Sequence, residues 1–206
     1  MERVITYIDG FNLYFGLKEK KWKRYYWLDL QKLCSNILKS DQSLVLTKYF
    51  TSRVSYPPNK VKRQGTFIEA LETLDNFELF YGKYQANPYT CNKCKQVTQI
   101  QNEKMTDVNI AVEMLSDAYQ NKYDTAILIS ADSDLKAPIQ KVLELFPEKR
   151  ILVAFPPSRF SFELTRIASA SFTIGRKKIS ESVFNDEIVK KDGFKLIKPI
   201  EWNNIE

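Results

Sequence analysis

Residues 126–129, "AILI", are four successive apolar side chains in a run too short to be a helix, and a second apolar run, "ILVAF", follows at 151–155. A strand that is apolar on both faces belongs inside a parallel sheet with helices covering each side. The rest of the chain obeys the same grammar. Residues 3–8, 44–51 and 77–84 read as strands, and 171–174 as a last one. Residues 28–38, 60–74, 137–146 and 160–168 carry helical spacing, and Pro57-Pro58 separates the second strand from its helix. Over 107–120, Val108, Ala111, Val112, Leu115 and Tyr119 recur at i, i+3, i+4, i+7 and i+11, which predicts an amphipathic helix of about four turns with those residues as its apolar stripe. The expected class is α/β, a mostly parallel sheet flanked by helices on both faces.

At 206 residues this is one domain. We expect it to span 1–175, with an irregular insertion at about 85–102 that contains Pro88, Cys91 and Cys94. A lysine-rich, weakly patterned extension occupies 176–206. Apolar runs fall far below the roughly 20 residues of a membrane span, and no signal peptide precedes Asp9, so a cytoplasmic protein without membrane partners is expected. Three cysteines suit a reducing compartment better than a disulfide framework. The formal charge of +6 leans toward a polyanionic partner. The absence of histidine excludes His-based triads and His metal ligands and leaves acid/base or metal work to carboxylates.

Ligands of open parallel sheets bind beyond the carboxyl ends of the strands. Asp9 ends the first strand, Asp132 and Asp134 follow the strand at 125–130, and Asp107 opens the amphipathic helix. Four carboxylates gathered there would repel by about 4 kcal/mol per close pair at an effective dielectric near 20, and so would hold protons or recruit a cation. An all-oxygen site suits Mg²⁺ or Mn²⁺, which activate water and stabilise charge on a phosphoryl group. Each acid also has a bland reading: Asp107 as a helix-opening acid, Asp132 or Asp134 as a cap.

The segments "YIDGFNLYFGL", "EKMTDVNIAVEMLSDAY" and "YDTAILISADSDL" resemble, in order and spacing, three blocks of the NYN domain, LabA-like branch, of the PIN-like nuclease superfamily. The resemblance covers about residues 3–170. It implies a Rossmann-like PIN fold and a metal-dependent ribonuclease. Asp9, Asp107, Asp132 and Asp134 would be the catalytic acids that hold one or two Mg²⁺ or Mn²⁺ ions, activating a water for in-line attack on an RNA phosphodiester. Asn12 matches the family's DGxN and would orient Asp9 or a phosphate. Ser130 and Ser133 offer hydroxyls to water or phosphate, with turn and cap hydrogen bonds as the competing reading. Lys136 and Lys104 are each a phosphate contact or an ordinary surface lysine, and Arg53 and Arg159 read the same way.

Cys91 and Cys94 have the spacing of half a zinc site, and the other half is missing. Cys34 sits on an apolar helical face. Related proteins carry cysteine pairs in this insertion, so a degenerate zinc knuckle or a site shared between subunits stays open, although bound Zn²⁺ is disfavoured. Residues 17–27, "LKEKKWKRYYW", interleave cations with aromatics in a way that suits single-stranded RNA. The alternative is a solvated basic loop whose aromatics dock on the domain. Two function classes therefore compete: the ribonuclease, and a PIN-like RNA-binding or protein-interaction adaptor that keeps the acidic pocket. Homo-oligomerisation is left open.

Overall fold

The computed structural model describes residues 1–90 and 92–203, with the backbone alone for 84–87 and 98–103. In chain order the strands are β1 (Glu2–Asp9), β2 (Gln42–Thr51), β3 (Phe77–Tyr81), β4 (Lys83–Thr90), β5 (Val97–Lys104), β6 (Thr125–Ile129), β7 (Arg150–Phe155), β8 (Ala170–Thr173), β9 (Glu187–Val189) and β10 (Lys195–Ile197). The helices are α1 (Gly10–Glu19), α2 (Leu30–Ile37), α3 (Pro58–Leu71), α4 (Thr106–Tyr119), α5 (Lys136–Leu145), α6 (Phe162–Ile167) and α7 (Arg176–Ser180).

Six strands form one sheet in the order β3-β2-β1-β6-β7-β8, and every pairing in it is parallel. The chain builds outward from β1 to β3, then crosses back to lay β6 on the other side of β1. Strand order therefore reverses between β1 and β6, and the crevice for a ligand opens at their carboxyl ends. Both faces are covered. Val4 and Ile8 of β1 pack into a core with Leu13, Leu30 and Leu33 from α1 and α2. Ile5 and Tyr7 pack into a second core with Ile110 and Met114 of α4 and Ile139 of α5. No helix among the described residues is long and apolar enough to cross a membrane.

The helix expected at 107–120 is present, but its apolar stripe faces outward. Val108, Val112 and Tyr119 are 60%, 54% and 80% exposed, whereas Ile110, Met114, Asp117 and Ala118 are buried. The reason is electrostatic. The Asp117 carboxylate accepts a hydrogen bond from Tyr7 Oη at 2.7 Å and lies 2.6 Å from the buried Lys48 Nζ and 3.0 Å from Lys122 Nζ. Lys48 also reaches Glu113 at 2.7 Å. With one buried charge paired to others, the helix face that carries Asp117 becomes the inner one.

Residues 85–102 are also more regular than expected. β4 and β5 pair antiparallel over their full lengths, from Lys83↔Lys104 to Thr90↔Val97. Pro88, Tyr89, Thr90 and Val97 are all exposed, so the ribbon's far end lacks the one-sided burial that gives a half-buried strand its alternating sequence. Cys94 is a free, exposed thiol, and Cys91 lies outside the described residues, as does any zinc site that needs it. Cys34 is buried, which pushes its thiol up to about 12.

The chain after the sheet packs back onto the domain. Trp202 closes on Trp27 (ring centroids 6.1 Å apart) and Phe67 (6.2 Å), and Leu196 and Ala70 complete this third core. In the basic segment, Tyr25 and Trp27 are buried, and the Trp27 indole N–H donates to the Asn185 carbonyl at 2.8 Å. Those aromatics dock on the domain, while Lys20 and Lys21 stay in solvent.

Candidate active site

Asp9 arrives at the switch crevice because it is both the last residue of β1 and the cap of α1. Its Oδ1 accepts the Asn12 backbone N–H at 2.9 Å, and its Oδ2 accepts the Ser130 hydroxyl at 2.9 Å. Gly10, directly after it, has no room for a side chain: a Cβ there would lie 2.6 Å from Tyr49 Oη and 2.7 Å from the Phe50 carbonyl oxygen. Asp132 follows β6. Its backbone N–H donates to Ser130 Oγ at 3.0 Å, and its Oδ1 caps the following 3-10 turn by accepting from Asp134 N–H at 3.0 Å. Asp107 enters from the first turn of α4. That helix start is set against Gly82, where an added Cβ would meet Lys104 O at 2.6 Å and Ser52 Oγ and Thr106 Oγ1 at 2.7 Å.

One carboxylate oxygen from each of Asp9, Asp107 and Asp132 lies within 4.8 Å of the other two. Asp9 is buried and the other two partly so. At that spacing each ionised pair repels by about 3–4 kcal/mol at an effective dielectric near 20. Asp107 shows the result: burial first, then the charges of Asp132 and Asp134, hold its carboxyl above the usual carboxylate range. Three hard oxygen donors on three separate elements, with no nitrogen or sulfur among them, fit a Mg²⁺ or Mn²⁺ ion by charge and ligand type.

Of the other residues singled out, Ser130 and Asn12 hold the site together. Ser130 is buried, donating to Asp9 and accepting from Asp132. Asn12 accepts the Ala131 N–H on its side-chain oxygen at 3.1 Å, stitching α1 to the loop after β6. Asp134 and Ser133 are exposed, and Asp134 is outside the close trio although its charge is felt at Asp107. Lys136 is paired with Glu163 at 3.0 Å, and it is not among the side chains lining the acidic cleft.

That cleft, about 250 Å³, is instead flanked by Lys104 and Arg159 and walled by Phe11 and Phe15. Arg159 is the residue that linear reading undervalued. It sits in the loop beyond the carboxyl end of β7, where the sheet rule places ligand contacts. One guanidinium nitrogen reaches Glu19 at 2.5 Å, and its Nε is buried without a hydrogen-bond partner.

Comparison with known proteins agrees with this geometry. The model of the NYN domain family matches residues 3–174. The 6-hydroxy-3-succinoylpyridine 3-monooxygenase HspA of Pseudomonas putida is 28% identical over 190 residues, covering 76% of this chain, which spans 60% of that protein's length. A crystal structure of a Vibrio parahaemolyticus protein of unknown function superposes with a TM-score of 0.53 at 17% identity, covering 85% of this chain and 94% of the other. That likeness concerns the fold.

Proposed function

The chain belongs to the NYN domain family, and on that premise we propose that it is a ribonuclease, dependent on Mg²⁺ or Mn²⁺, that cleaves single-stranded RNA. Within the family, the three sequence blocks favour the LabA-like branch. One observation carries the reading: Asp9, Asp107 and Asp132 converge to within 4.8 Å at the crevice where strand order reverses. Asp9, Asp107 and Asp132 would hold the cation, with Asp134 adding negative charge from the rim. When bound, such an ion neutralises charge on phosphoryl oxygens and lowers the pKa of water. Ser130 and Asn12 keep Asp9 and the β6 loop in register with each other. Lys104 and Arg159, rather than Lys136, supply positive charge for the phosphate beside the acids.

The test replaces Asp132 with Asn and follows labelled single-stranded RNA with Mn²⁺ and with chelator. Cleavage by the native chain with Mn²⁺, lost in Asp132→Asn and in chelator, is the expected result; equal cleavage in all arms sinks the proposal. Metal and RNA binding without turnover would move the reading to the adaptor class.

A second reading is favoured by a cleft of about 570 Å³ with aromatic walls beside the acids. The name of the Pseudomonas putida relative attaches to that protein the oxygenation of a hydroxylated pyridine, and such a cleft accepts a planar heteroaromatic acid. Conversion of 6-hydroxy-3-succinoylpyridine in the presence of dioxygen and an electron donor would establish it.

A further inference from the structure

Behind the acidic cleft lies a larger one, about 570 Å³, within the range of about 300–1,000 Å³ typical of ligand pockets. The two share a wall. Phe11 and Phe15 line both, and one face of α1, at i, i+3, i+4 and i+7, presents Phe11, Tyr14, Phe15 and Lys18 to the larger cleft. The rings form a continuous surface: Tyr14 lies 5.3 Å from Phe15 and 5.1 Å from Tyr26 between centroids, and Tyr26 lies 6.0 Å from Trp202. Tyr14 and Phe15 are each 39% exposed although large and aromatic. Burial pushes the Tyr26 hydroxyl up to about 12, so it remains a neutral hydrogen-bond donor. Lys23 and Lys60 also line the cleft and have no carboxylate partner among the described residues.

Aromatic faces that are open to a ligand and bordered by unpaired cations match a planar ring attached to an anion. The acidic trio on the other side of Phe11 and Phe15 indicates where that anion's chain continues. We propose that this cleft is a nucleobase subsite: a base of the RNA strand stacks on the Tyr14–Phe15–Tyr26 surface, its neighbouring phosphates meet Lys23 and Lys60, and the strand passes over Phe11 and Phe15 to place the next phosphate at Asp9, Asp107 and Asp132. The proposal rests on the ribonuclease reading for the identity of the strand. It adds that cleavage is confined to RNA with a base at this position.

The site is tested by binding, with cleavage silenced. In the full chain carrying Asp132→Asn, affinity is measured by fluorescence for a five-nucleotide RNA and for the same oligomer with one abasic residue at each position in turn. One abasic position should weaken binding about tenfold, in line with the loss of a single base–aromatic stack. Tyr14→Ala, at an exposed helix position outside the acidic cleft, should weaken the intact RNA by a similar factor and erase the difference between intact and abasic oligomers. Tyr56→Ala, at the 69% exposed ring that also lines the cleft, provides a second variant with little folding risk and should weaken the intact RNA severalfold. Equal affinity for intact and abasic RNA overturns the subsite. So does an unchanged affinity in both variants, or a Tyr14-dependent affinity for pyridine-3-carboxylate that RNA cannot displace. Base-dependent, Tyr14-dependent binding together with a native chain that cleaves no RNA would leave the subsite standing and remove the nuclease reading instead.

Discussion

The Ser130 hydroxyl donates to Asp9 Oδ2 at 2.9 Å and in turn accepts the Asp132 backbone N–H at 3.0 Å. One buried side chain thus spaces two of the three acids across the β1–β6 switch. Ser130→Ala should retain the fold while losing about 1–2 kcal/mol of stability, because Asp9 and the Asp132 amide each lose a buried partner. Cation affinity or cleavage should fall about 10- to 100-fold. A Mn²⁺ titration of RNA cleavage, alongside thermal melts, checks both.

Crowding of the acids should destabilise the protein when no cation is present. The Asp107 carboxyl is held above its ordinary value by burial and by Asp132 and Asp134. The folded state then binds more protons than the unfolded one just above the normal carboxylate range, so this contribution to stability falls as pH rises through the shifted titration. Asp107→Asn should raise the melting temperature in chelator, by a stability gain of about 1 kcal/mol, and should flatten that pH dependence. The same variant should lose the stabilisation that added Mn²⁺ gives the native chain.

Lys48 is fully buried against Asp117 and Glu113. Lys48→Met leaves the Asp117 carboxylate without its nearest cation and should cost about 3–5 kcal/mol. The double variant Lys48→Met, Asp117→Leu should recover a large part of that loss. Urea denaturation of the single and double variants decides the matter; a double variant no more stable than the single one would contradict it.

Arg159 flanks the acidic cleft from the loop after β7. Arg159→Gln should weaken RNA binding on all sequences alike and reduce the slope of log affinity against log salt by about one. Lys136→Gln, which removes a partner of Glu163 rather than a cleft residue, should leave that slope unchanged. Binding isotherms over a range of salt concentrations compare the two.

Local sequence was a good guide wherever a residue's role followed from its neighbours along the chain. The strand at 125–130 lies within one residue of β6, and the Asp9-Gly10 and Ala131-Asp132 junctions fall at strand ends, where the parallel-sheet rule puts ligands. It was a poor guide to α4. A count of apolar spacing selects Val108, Val112, Leu115 and Tyr119, because Asp117 scores as a surface residue until Lys48 and Tyr7, about 70 and 110 positions earlier, are known to meet it. Residues 85–102 misled for a related reason: an antiparallel ribbon is held by backbone pairing, and where it projects into solvent it carries no alternating apolar pattern to read.

By itself, then, the sequence determined the class of fold, the strands that end in acids and an oxygen-only donor set in a chain without histidine, since these depend on composition and on periodicity within a few residues. The tertiary structure decided which three of four aspartates stand together, which face of α4 is inside, that Arg159 rather than Lys136 borders the acids, and that α1 and Trp202 enclose an aromatic cleft. Each of those depends on pairs of residues far apart in the chain. Their proximity is set by the crossover between β3 and β6 and by buried charge pairing, which act only once the sheet has formed.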